Sequence, residues 1–73
     1  MDVNFLIYKI RNAGETVDKL AEALGIHPMT LRDKMRGRRA QFKQSEIQAI
    51  ADRYELTADE VSKIFFKPGE KNE

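Results

Sequence analysis

Six cationic side chains crowd residues 28–43: Arg32, Lys34, Arg36, Arg38, Arg39 and Lys43. Asp33 alone opposes them, a local balance of +5 in a chain whose net charge is +1. Guanidinium and ammonium groups donate hydrogen bonds and accept none, so their chemistry is the holding of anions and of acceptor-rich edges. The next stretch runs the other way: residues 44–66 carry Arg53 and Lys63 against Glu46, Asp52, Glu55, Asp59 and Glu60, a balance of −3. One end of the molecule is therefore expected to be basic and another acidic. A basic run is usually a solvated loop, so what matters is the element that carries it. The remaining polar residues form no nucleophile-base pair and no phosphate-cradling glycine loop. One histidine and no cysteine leave no material for a histidine-rich or thiolate metal site, or for a disulfide. No enzyme activity, metal, cofactor or small-molecule substrate is expected, and a chain without cysteine suits a reducing cytoplasm.

The basic run begins inside residues 16–37, TVDKLAEALGIHPMTLRDKMRG. Val17, Leu20, Ala21 and Leu24 recur at i, i+3, i+4 and i+7, one face of a helix. Thr16 suits its N-cap and Asp18 its first turn, although Lys19 stands where a full capping box needs Glu or Gln. Gly25 ends this helix by taking a left-handed conformation. Ile26 then turns inward, and His27-Pro28 opens a second helix, proline's fixed φ suiting the first position. Leu31 and Met35 form its buried stripe, leaving Thr30, Arg32, Asp33, Lys34 and Arg36 to face outward. Two helices joined by a tight glycine turn, the second with a polar outer face, are the parts of a helix-turn-helix reader. They are equally the parts of an αα-hairpin that merely packs. Ala21 is the small residue that would let the two helices approach closely, and Leu31 would pack back onto it. The basic run falls on the second helix and the loop leaving it, which favours nucleic acid.

The rest of the chain supplies three more helices. Residues 3–12, VNFLIYKIRN, carry the stripe Val3, Leu6, Ile7 and Ile10, with Lys9 and Arg11 on the solvent side. Asp2 or Asn4 caps this helix and Ala13-Gly14 ends it; its β-favouring Phe5, Ile7 and Tyr8 make a strand the competing assignment. Phe5 and Tyr8 lie outside the stripe, either covering the core's edge or, if exposed, forming a partner surface. After Gly37 comes a basic loop with Phe42 as its anchor. Residues 45–54 form a fourth helix with Ser45 as N-cap and Ile47, Ile50, Ala51 and Tyr54 inward. Thr57 and Glu60 have full capping-box spacing for a fifth helix that buries Val61, Ile64 and Phe65 and stops at Pro68-Gly69. The expectation is one all-α domain over residues 1–66 and a polar tail over 67–73. At 73 residues the chain is near the size where a core becomes marginal. No apolar run is long enough to cross a bilayer and no signal-peptide layout opens the chain, so a cytoplasmic location is expected.

Taken together, LAEALGIHPMTLRDKMRGRRAQF followed by SEIQAIADRYELTADEVSKIFF resembles the Cro/phage-repressor type of helix-turn-helix domain, the lambda-repressor-like fold. The likeness is greatest to short prophage-borne members that end in a Phe-Phe pair, here Phe65-Phe66. It covers residues 3–66, with Leu20-Ala21, Gly25-Ile26, Thr30-Leu31, Gly37 and Phe42 in register. The resemblance implies a compact five-helix domain whose second and third helices read DNA, and a homodimer on a pseudo-palindromic operator. It places the third helix, about 28–36, in the major groove, with base-reading positions at Pro28, Met29 and Asp33 and with Arg32 nearby.

The departures from that pattern shift the expected roles. Val17 stands where many members have a phosphate-binding Gln, leaving Thr16 as the phosphate contact at that helix start. Pro28 offers no hydrogen bond, and Met29 only apolar contact, for instance to a thymine methyl. Position 34, often aliphatic in the wider motif, is Lys34. Base readout is thus assigned to Arg32 and Asp33, with Met29 and His27 beside them. Asp33 accepts from a cytosine N4 or orients a neighbouring arginine, and His27 is as readily a helix-starting residue as a DNA contact. Arg32 reads guanine or, alternatively, rests on a phosphate or pairs with Asp33. Arg36, Arg38, Arg39 and Lys43 suit phosphates, which position a protein without carrying sequence information. The expected function is a nucleoid-associated, sequence-specific transcription regulator with double-stranded operator DNA as partner. A protein-interaction adaptor or antirepressor that keeps the fold without reading an operator is the alternative.

Overall fold

The computed structural model of the chain describes residues 2–37 and 41–66. These form five helices: α1 (Val3–Asn12), α2 (Val17–Leu24), α3 (Pro28–Arg36), α4 (Gln44–Arg53) and α5 (Ala58–Phe65). No strand occurs among the described residues, so the strand alternative at residues 3–12 is set aside. Arg38, Arg39, the stop at Pro68-Gly69 and the tail 67–73 lie outside the described residues.

Local chemistry fixes each helix start. Asp2 Oδ1 accepts the Phe5 N–H at 3.1 Å, which decides α1 for Asp2 over Asn4. Thr16 Oγ1 accepts the Lys19 N–H at 3.1 Å. Thr57 and Glu60 form the full reciprocal box, at 3.1 and 2.9 Å. The fourth start departs from expectation. The N-cap is Lys43, not Ser45, and α4 begins at Gln44, with Tyr54 as its C-cap. A lysine side chain has no acceptor to offer, so only half a box exists there: Glu46 Oε1 accepts the Lys43 N–H at 2.9 Å.

Gly25 ends α2 at φ 73°, its N–H reaching the carbonyls of Ala21 and Glu22, and the Ile26 N–H closes on Ala21 at 3.0 Å. A side chain is disfavoured in that left-handed conformation, so glycine makes the turn into α3 tight. Between α4 and α5 the same backbone region is held by Glu55, at φ 54° the single non-glycine with positive φ among the described residues.

Leu6, Ile10, Leu20, Ala21, Leu31, Met35, Ile50, Tyr54 and Ile64 make one buried cluster to which every helix contributes. α2 packs most extensively against α3; α1 touches α2 and α5, and α4 touches α5. Phe42 is the expected loop anchor, its ring edge-on to Phe65 at 5.2 Å. Phe5 is half-buried against the core while Tyr8 is exposed, their rings stacked at 5.9 Å. Lys9 is not a solvent-side residue: its ammonium meets Glu60 at 3.4 Å and ties α1 to α5. Among the described residues no helix is long and apolar enough to cross a membrane.

Candidate nucleic-acid interface

α3 divides its residues by face. Leu31, Lys34 and Met35, at i, i+3 and i+4, turn into the molecule, and Met29, Thr30 and Arg36 are exposed. Arg32 and Asp33 lie between, half-buried. Lys34 therefore overturns the expectation of an outward residue. Its side chain is 7% exposed, and its Nζ sits 3.2 Å from Glu46 Oε1 and 3.2 Å from the Gln41 carbonyl. Its spacing from Leu31 and beside Met35 puts it on the buried stripe; the charge alone argued for solvent. Burial pushes the Glu46 carboxyl up, but the Lys43 N–H and the Lys34 ammonium outweigh it and hold the pKa below its ordinary value.

The base-reading candidates are brought together at the first two turns of α3. His27 is the N-cap: its Nδ1 accepts the Met29 N–H at 3.0 Å, so its ring is committed to starting the helix while the residue stays exposed. Met29, 54% exposed, offers an apolar tip one turn before Asp33. Arg32 Nη2 donates to Asp18 Oδ1 at 2.8 Å, so its carboxylate partner comes from α2 and is not Asp33. The pair lies at the surface, its Arg32 and Asp18 side chains 41% and 64% exposed, and such a pair is worth only about 0–1 kcal/mol. A guanidinium carries five N–H donors, and Asp18 engages one of its nitrogens.

The phosphate candidates are more scattered. Thr16 is exposed, with its hydroxyl oxygen already capping α2. Arg36 and Lys43 are exposed and have no ion pair with any described residue, one at the end of α3 and one at the start of α4. Arg38 and Arg39 lie between them, outside the described residues. A shallow cleft of about 310 Å³ adjoins the α2 start, lined among others by Arg11, Thr16, Asp18 and Arg32.

Three partnerships here escape sequence reasoning: Arg32 with Asp18, Lys34 with Glu46, and Glu15 with both Arg53 and Tyr54. The last joins the α1–α2 connection to the end of α4. Arg53 Nε and Nη2 donate to the two Glu15 oxygens at 2.9 and 2.6 Å, and the Tyr54 hydroxyl donates at 2.8 Å. The Arg53 guanidinium first, and the Tyr54 hydroxyl second, hold the Glu15 carboxyl below its ordinary value. Burial and the Glu15 carboxylate push Tyr54 up to about 12. No local spacing signals these pairs, because the partners lie 12 to 39 residues apart. Comparison with protein-family models, with curated proteins and with solved structures finds no match for this chain.

Proposed function

We propose that the chain is a sequence-specific regulator that binds double-stranded DNA, with α2 and α3 as a helix-turn-helix of the Cro/phage-repressor kind in a lambda-repressor-like fold. One observation carries the reading: α3 buries only its Leu31–Lys34–Met35 face and presents Met29, Thr30 and Arg36 beyond a tight Gly25 turn, with Arg32 at the edge. An element with one buried and one polar, partly cationic face has the shape that a major groove admits. Arg32, steadied by Asp18, reads guanine O6 and N7 with its remaining donors; Asp33, Met29 and His27 complete the base-facing set. Arg36, Lys43, Arg38, Arg39 and Thr16 hold phosphates, and two copies meet on a pseudo-palindromic operator in the nucleoid.

The test is binding to mixed-sequence duplex as salt is raised. A linear fall of log K with log salt, at about 0.9 per phosphate neutralised, is expected. Selection of bound sites from random DNA should then return a two-fold symmetric motif. Absence of binding at low salt would favour the adaptor reading. That reading draws support from Tyr8, which is 58% exposed and stacked on Phe5, and from the internal pairing of two of the six cations.

A further inference from the structure

Lys34 is the one buried charged side chain among the described residues, and neither the core nor the groove-facing surface accounts for it. Its ammonium reaches two acceptors across the α3–α4 connection: the Gln41 carbonyl at 3.2 Å and Glu46 Oε1 at 3.2 Å. That same oxygen accepts the Lys43 N–H at 2.9 Å. Between the two held residues, Phe42 is pinned edge-on to Phe65. Gln41, Phe42 and Lys43 thus each have a separate anchor. Glu46 is 12% exposed, so both charges are largely out of water. Taking two ions from water is costly, and an apolar pair of similar volume often stabilises as well or better. Stability alone is a poor reason for such a pair. What it supplies is position: the ammonium holds the Gln41 carbonyl and the carboxylate holds the Lys43 N–H.

The exposed cations Arg36 and Lys43 flank this clamp, Arg36 two residues after Lys34 and Lys43 three before Glu46. We propose that Lys34 and Glu46 are positioning residues that hold Gln41, Phe42 and Lys43 against α3, so that Arg36 and Lys43 meet phosphates on one duplex together. Lys34, although cationic and on α3, contacts no DNA. The proposal rests on the DNA-binding reading above.

The test uses Lys34→Met/Glu46→Gln, which removes both charges but keeps an amide oxygen for the Lys43 N–H. Three readouts are needed: thermal melting, amide hydrogen exchange at Lys43, and the salt slope on mixed-sequence duplex. The variant is expected to fold, to exchange that amide faster than the parent, and to lose about 1 to 2 from the salt slope as one or two phosphate contacts go. Lys34→Arg, which keeps the charge, should retain more of the slope than the double variant. A double variant with the parent's slope and affinity overturns the clamp while leaving the DNA reading intact. A parent that binds no duplex at low salt overturns the DNA reading and this proposal with it. Fast exchange of the Lys43 amide in the parent itself overturns the clamp with no variant at all, so a variant that fails to fold does not shield the idea.

Discussion

At the residue scale, Arg32 and Lys34 show how little charge says about direction. They are two positions apart on α3, yet one pairs at the surface with Asp18 and the other is buried against Glu46. Their effects on binding should differ accordingly. Arg32→Ala removes the one side chain of the set able to give two parallel hydrogen bonds to guanine. It should cost about 1–3 kcal/mol on the selected operator and relax preference at one base pair per half-site. Repeating the site selection with the variant checks this. An unchanged motif with uniformly weaker binding would make Arg32 a phosphate contact, and Asp18 an accessory to that role.

At the element scale, α2 and α3 are held together by a fully buried alanine and a left-handed glycine. Ala21→Leu adds three carbons at a fully buried position and should cost about 1–3 kcal/mol, read as a drop in melting temperature. For a domain of this size that is a large part of the total stability. An unchanged melting temperature would mean that α2 does not meet its neighbours at Ala21. The turn between α4 and α5 offers the opposite experiment. Glu55 sits at φ 54°, where an L side chain is strained and glycine is not. After the entropy that glycine gives up on folding, Glu55→Gly should still stabilise by about 0.5–1 kcal/mol. Chemical denaturation measures this, and a loss of stability would show that the Glu55 side chain contributes more than its backbone strain costs. Lys34 and Glu46 link α3 to α4 through two largely buried charges. Removing one partner and leaving the other charge buried should cost about 3–5 kcal/mol.

For the whole molecule, three carboxylates that join separate elements share one direction of shift. Glu15 is held below its ordinary value by Arg53 and then Tyr54. Glu60 is held down by the Thr57 N–H and also by Lys9, and Glu46 by Lys43 and Lys34 against the opposing effect of burial. A carboxyl whose folded-state pKa lies below its unfolded value stabilises the fold fully above that unfolded value, 4.5 here. The contribution is lost as pH falls through the lowered folded-state value, because the unfolded chain then binds more protons. Melting temperature should therefore hold near neutrality and decline below about pH 4.5, with Glu15→Gln lowering the neutral value and flattening the decline. Tyr54 works in the other direction: its raised value of about 12 makes its contribution full below 10 and lost as pH rises through about 12. A flat profile between neutrality and about pH 3 would contradict the ties that Glu15, Glu46 and Glu60 make.

What the sequence by itself determined is local. Helical spacing placed Leu6, Ile10, Leu20, Ala21, Leu31 and Ile64 in the core, Thr16 and Thr57 showed where helices start, and Gly25 showed where one must stop. These features act within about a turn of their own position, and chain order alone displays them. Local rules alone did not settle the start of α4: Ser45 with Gln48 has capping-box spacing, yet the N-cap is Lys43, where Glu46 accepts the Lys43 N–H and also meets the Lys34 ammonium from α3. The candidate interface was legible as a set of residue types on α3, but not as an arrangement. Only the tertiary structure decided that Lys34 turns inward, that Asp18 takes Arg32, and that Glu15 gathers Arg53 and Tyr54. Each of those outcomes depends on a partner carried by another helix, and a long side chain is free to point toward solvent or protein until the packing of the helices brings that partner within hydrogen-bond reach.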